Sequence, residues 1–137
     1  MIRCLFIAPY KKLFVDALFT TTSEAIDVVY WSFTGLQPNV QKVGTNTWQQ
    51  QRTDGQLTIS GWQTPAAGTA SLLYEVVEQL NSTTYSIHSS VTVGGNYSKS
   101  GTWYTKYISG VGNNVDFRMR FTNKGLYNTD AAGNGYN

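Results

Sequence analysis

The residues from Val115 to Thr122 most narrow the folds open to this chain. Val115, Phe117, Met119 and Phe121 alternate with Asp116, Arg118, Arg120 and Thr122. A period of two sends the apolar set to one face and the charged set to the other. That is a strand half-buried in an antiparallel sheet. The same reading runs back to Ala70 and gives four or five successive strands, around which the rest of the chain packs.

Taken in order, Ile26 to Phe33 is β-branched and aromatic and reads as a strand. Gly35 to Asn39, with Pro38, is a turn, and Val40 to Val43 a short strand. Thr47 to Arg52 and Leu57 to Trp62 read as two strands joined by the hairpin signal Asp54-Gly55, with Leu57 and Ile59 on one face. Thr64 to Gly68 is a loop. Ser71 to Leu80 fits either period, because Leu72, Val76 and Leu80 suit a helix while Leu72, Tyr74 and Val76 suit a strand. Its place between turn signals favours the strand. Asn81-Ser82-Thr83 turns, and Tyr85 to Val93 returns with Tyr85, Ile87, Ser89, Val91 and Val93 on one face and His88 opposite. Thr102 to Ser109 puts Trp103 and Tyr107 on one side and Tyr104 and Ile108 on the other.

Nine or so short strands at this spacing predict an all-β domain over residues 26–123, an antiparallel β-sandwich or jelly roll. Residues 1–25 are expected to form an N-terminal arm, extended or briefly helical. Lys11, Lys12, the run Leu13 to Phe19 and Ser23-x-Ala25 together also suggest a degenerate secretory signal, against which Asp16 counts. Residues 124–137 hold little apolar content and read as a polar tail. No stretch approaches the ~20 apolar residues of a transmembrane helix.

Composition bears on function. Charged residues are 13%, against about 25% in an ordinary globular chain. The surface is therefore mostly neutral-polar, which points to an extracellular, virion or cell-surface setting. A formal net charge of +2 argues against nucleic-acid binding. The single cysteine, Cys4, excludes an internal disulfide and leaves a link between chains open. Acidic and basic residues are segregated. Glu75 and Glu78 precede a basic stretch holding Arg118 and Arg120. These charges either pair across strands of one sheet or form complementary faces on neighbouring subunits.

Catalytic chemistry finds no support. His88 is the sole histidine, expected on a polar surface, and no serine carries a nucleophile motif. Glu75 and Glu78 point to opposite faces of a strand, which defeats a glycosidase pair. Asp116 shares a face with Arg118 and reads as ion-paired. No Cys or His cluster suits zinc. Asn128, Asp130, Gly133, Asn134 and Asn137 only faintly follow a calcium loop. No metal or cofactor is expected. Asn81-Ser82-Thr83 and Asn96-Tyr97-Ser98 match the N-glycosylation pattern, which chance explains in so Asn- and Ser-rich a chain.

Three non-enzymatic functions remain. The leading expectation is a structural protein that self-assembles as a fibre, appendage, tail or capsid subunit by exchanging strands or arms with copies of itself. Cys4, Glu75, Glu78, Arg118 and Arg120 are then the candidate intersubunit residues. The alternative is a carbohydrate-binding module whose Trp48, Trp62, Trp103 and Tyr107 stack on sugar rings. The third is a membrane-active toxin or antimicrobial.

Overall fold

The computed structural model describes residues 26–50, 53–112 and 115–137. Among them are eight strands: β1 (Asp27–Leu36), β2 (Gln41–Val43), β3 (Leu57–Pro65), β4 (Ser71–Gln79), β5 (Tyr85–Gly94), β6 (Tyr104–Ile108), β7 (Phe117–Asn123) and β8 (Thr129–Tyr136). They form two antiparallel four-stranded sheets. Sheet A runs β1-β8-β3-β6 and sheet B runs β2-β7-β4-β5. First pairs with last, second with second-to-last, third with sixth and fourth with fifth, which is the strand pairing of an eight-stranded jelly roll. The expected sandwich is therefore present. The arm at residues 1–25, Cys4 included, lies outside the described residues.

Alternation does what the sequence demands in the central strands. In β3, Leu57, Ile59, Gly61 and Gln63 are buried, while Thr58, Ser60, Trp62 and Thr64 lie on the outer face. In β4, Leu72, Tyr74 and Val76 are fully buried against Phe117, Met119 and Phe121 of β7. The ambiguous stretch at residues 71–80 is thus a strand. Strand pairing on both sides satisfies its backbone and overrides the helical propensity of Leu and Glu. Tyr74 meets Phe121 edge-on at 5.5 Å, and Trp31 lies 5.5 Å from the same ring. Such pairs add to the area burial of the core.

The clearest departure is the C-terminal segment. Residues 129–136 are not a tail but β8, inserted between β1 and β3, so the sandwich runs past residue 123 and includes them. Its inward residues are Thr129, Ala131, Gly133 and Gly135, too small or too polar to register as an apolar face. The reason lies in the neighbours. A Cβ on Gly133 would stand 2.4 Å from the Ser60 carbonyl oxygen and 2.6 Å from the Trp31 ring, and one on Gly61 would stand 2.8 Å from the Tyr104 hydroxyl. At Gly61 and Gly133 the two inner strands of sheet A are bare, so that Trp31 from β1 and Tyr104 from β6 lie across them.

A series of hydrogen bonds crosses the core. Tyr104 donates its hydroxyl to Tyr74 at 2.8 Å, and Tyr74 donates to the Gln63 amide oxygen at 3.0 Å. The Gln63 amide nitrogen donates to the carbonyls of Val93 at 2.8 Å and Gly95 at 3.0 Å. Sheet A thereby bonds to both β4 and β5 of sheet B. Every polar side-chain atom in this series is satisfied, so its burial is tolerated. Burial raises both phenols, Tyr74 well above the ordinary value. For Tyr74 the neighbouring Tyr104 adds to that shift.

Two other local readings change. The Asp54-Gly55 turn exists, with Gly55 at φ +67°, but among the described residues it joins no hairpin, and residues 51–52 of the expected first strand lie outside them. Residues 47–50 touch β7 through the Trp48–Phe117 bridge instead, while β3 pairs with β6 and β8. In β5 the register slips: Val76 faces Ser89, yet Val77 faces Ile87, so His88 is an extra residue. A one-residue bulge exchanges the faces beyond it. Ile87 turns outward, and His88 turns against the Phe117 ring at 4.9 Å.

Two measurements check this picture. Gly133→Ala should cost about 2–3 kcal/mol in urea unfolding, as overpacking against an unyielding backbone does; a loose tail would lose nothing. Alkaline stability follows from the buried tyrosines. The folded state holds both phenols neutral, whereas the unfolded phenols ionise near pH 10. Stability is therefore full below pH 10 and falls as pH rises toward the raised folded values, by up to about 1.4 kcal/mol per pH unit per tyrosine. Tyr74→Phe should flatten that fall in urea titrations between pH 9 and 11.5, although the variant starts less stable.

Candidate binding face

The two outer faces of the sandwich differ in chemistry. On sheet B, Glu75 and Arg120 stand directly opposite and pair at 2.7 Å, with the guanidinium also over the Tyr85 ring at 6.0 Å. Arg118 donates to the carbonyls of Gly44 at 3.1 Å and Thr45 at 2.9 Å. Asp116 accepts from Gln49 at 2.8 Å rather than pairing with Arg118. Glu78 lies opposite Phe117 and meets His88 at 3.0 Å, so the histidine is half-buried and not the free surface residue expected. The candidate intersubunit charges Glu75, Glu78, Arg118 and Arg120 are thus engaged within the chain.

Sheet A presents the opposite character. Its ladder runs from β8 through β3 to β6 without a register shift. One row of outward residues reads Tyr30, Asn134, Ser60, Thr105 across the four strands. The next row on one side holds Tyr136, Thr58 and Tyr107. On the other side it holds Ser32, Ala132 and Trp62. Each strand therefore contributes one aromatic residue to a face whose centre is small and polar. Tyr136 and Tyr107 flank Thr58 at two strand spacings, about 9.5 Å. Tyr30 is 67% and Tyr107 60% exposed.

Trp103 precedes β6 and falls on the same side by alternation, 40% exposed, with its indole N–H donated to the Lys99 carbonyl at 3.0 Å. That bond fixes the ring while leaving much of it open. The side chains of Tyr30, Thr58, Ser60, Thr105, Tyr107, Asn134 and Tyr136 form no hydrogen bond to other described residues. They are free to meet a ligand. Between the rim residues Asp27 and Asp130 no outward position of this sheet carries a charge. Asp130 itself accepts from the Gly35 N–H at 2.7 Å.

Of the aromatics singled out from sequence, Trp62, Trp103 and Tyr107 share this face. Trp48 does not. It is buried at 6% exposure against Phe117, with centroids 5.7 Å apart, and belongs to the core. Tyr30, Tyr136 and Asn134 carry no signal in the sequence that marks them for this face. Asn134 and Tyr136 fall in the segment that reads as a tail, and Tyr30 lies in a strand whose apolar residues occupy both faces. The faint calcium pattern at residues 128–137 dissolves, because residues 129–136 are an extended strand and not a loop curled round an ion. No group of three or more His, Cys, Asp or Glu that could hold a metal occurs among the described residues. No described helix is long and apolar enough to cross a membrane.

Unfolding separates these roles. Trp48→Ala should cost about 3–5 kcal/mol, the range for a buried large aromatic. Tyr30→Ala and Tyr107→Ala should each stay within about 0.5 kcal/mol of the parent, as exposed positions do. Comparison with known proteins adds no relative to this geometry: no family model, no curated protein and no solved structure matches the chain.

Proposed function

We propose that this chain is a non-enzymatic binding module for an uncharged, extended polysaccharide laid along the outer face of sheet A. One observation carries the reading: five aromatics, one from each of four strands plus Trp103, surround unbonded hydroxyl and amide groups on an uncharged surface. A sugar ring has an apolar C–H face and an equatorial belt of hydroxyls. Tyr107, Trp62 and Tyr30 supply stacking surfaces for the first. Asn134, Ser60 and Thr105 supply donors and acceptors for the second. An unbroken ladder offers a surface, so several sugars of one polymer are engaged together. The neutral-polar composition fits an extracellular or cell-surface setting for such a module. Jelly rolls serve both lectin domains and capsid subunits, so the fold alone favours neither, and it is the chemistry of the face that supports this reading.

A second reading, a self-assembling structural subunit, is favoured by a separate observation: among the described residues β1 pairs only with β8 and leaves a ten-residue edge open.

Affinity electrophoresis through gels holding a neutral glucan, a xylan or a mannan tests the first reading. Retardation by at least one of them is expected. Tyr107→Ala and Trp62→Ala should each weaken it tenfold or more, and raising NaCl from 50 to 500 mM should change it less than twofold. Tighter retention by a polyanion, or retention indifferent to both substitutions, would overturn it.

A further inference from the structure

Every open sheet invites a further strand, and stable proteins guard their edges with short strands, lysines, prolines or bulges. Three of the four edges among the described residues are guarded. β2 has three residues with Lys42 at its middle. β6 has five residues with Lys106 at its middle. β5 is bulged at His88, and the adjacent Ser89 hydroxyl donates to the Ser109 carbonyl.

β1 is built differently. Its irregularities fall at its two ends, and Val29 to Phe33 keeps an unshifted register with β8. That stretch, Val-Tyr-Trp-Ser-Phe, contains no charge, proline or glycine. Among the described residues no second strand pairs with it. A groove of about 270 Å³ separates Tyr30–Phe33 from Lys42–Asn46, with Phe121 at its floor.

We infer that β1 is a self-pairing edge: two copies of this chain join antiparallel along Val29–Phe33 about a two-fold axis, making one eight-stranded sheet A. A second copy is the occupant that fits. The stretch is uncharged, so an antiparallel copy of it meets no like charge there. The β-branched and aromatic residues on its two faces also suit cross-strand pairing. An isologous contact of this kind closes at a dimer. Both aromatic faces then lie on the same side, with the two copies of Tyr30 near the axis, so a single particle presents two joined platforms and gains avidity for a polymer. The pairing deepens the assembly reading and stands independently of the glycan reading.

Sedimentation equilibrium of the full chain over a hundredfold concentration range tests it. The parent should reach about twice 15.2 kDa. Ser32→Lys, at an exposed position of β1, should raise the dissociation constant tenfold or more. Thr92→Lys, at an exposed position of β5, should leave it unchanged. Circular dichroism checks that each variant is folded. Should Ser32→Lys fail to fold, hydrogen exchange of the parent gives the answer. Amides within Val29–Phe33 should gain protection with concentration while those of β5 and β6 do not. A parent that stays monomeric, or an assembly lost in Thr92→Lys but kept in Ser32→Lys, would overturn the proposal. Concentration-independent exchange in β1 would do so as well.

Discussion

Sheet A depends on the close approach of β3 and β8 at Gly61 and Gly133. Their Cα atoms come so near that a Cβ on Gly133 would stand 2.9 Å from the Cα of Gly61. Bare backbone at the middle of the sheet leaves a hollow, and the hollow is filled sideways. Trp31 reaches over it from β1 and Tyr104 from β6. Large side chains on the outer strands where the inner strands carry glycine is one solution to packing a sheet at interior density. It places the domain's bulk in residues that flank β8 in space while lying far from it in sequence.

The series of hydrogen bonds through Gln63 does for orientation what the glycine contact does for packing. An apolar core fixes how much surface is hidden but specifies poorly which strand faces which. Gln63 must find partners for both ends of its amide or leave them buried and unmet, at a cost of roughly 1–3 kcal/mol for each lost partner. Only one stacking of sheet A on sheet B provides Tyr74 together with the Val93 and Gly95 carbonyls. Among the described residues, the indole N–H of Trp31 and the hydroxyl of Thr122 are the buried polar side-chain groups left without partners. Trp31 packs on the Phe121 ring in the core, whereas Thr122 stands between Gln41 and Leu73 on the other face of β7.

The division between the outer faces follows from the same architecture. In sheet B the central strands β4 and β7 bring Glu75 and Arg120 together, and the charges cancel locally. In sheet A the central strands supply Ser60, Trp62, Ala132 and Asn134, and the outer strands supply Tyr30 and Tyr107. One side of the sandwich is thus electrostatically quiet but committed to internal contacts. The other is uncharged between its rims and aromatic, and its central hydroxyl and amide groups are free of such contacts.

Much of the architecture is legible in the amino-acid order. The alternation of Val115 to Thr122, the strand at Ile26 to Phe33 and the two-sided pattern of Tyr104, Tyr107 and Ile108 depend on a period of two that a sequence displays directly. Three residues of the aromatic face are legible as well, because Trp62, Trp103 and Tyr107 are large and fall outside the apolar phase. Periodicity and composition suffice to make this chain β, to give it a core of aromatics and aliphatics, and to leave its charge too sparse to organise binding. Packing between strands settles what they leave open. It makes a central strand of residues 129–136, because glycine and alanine carry no hydrophobic signal and gain their place only from the rings that cover them. It buries Trp48 and exposes Tyr30, because which face of a strand meets the core is set by its neighbours. It turns His88 inward, because a bulge is a mismatch between two strands and is invisible in either one alone.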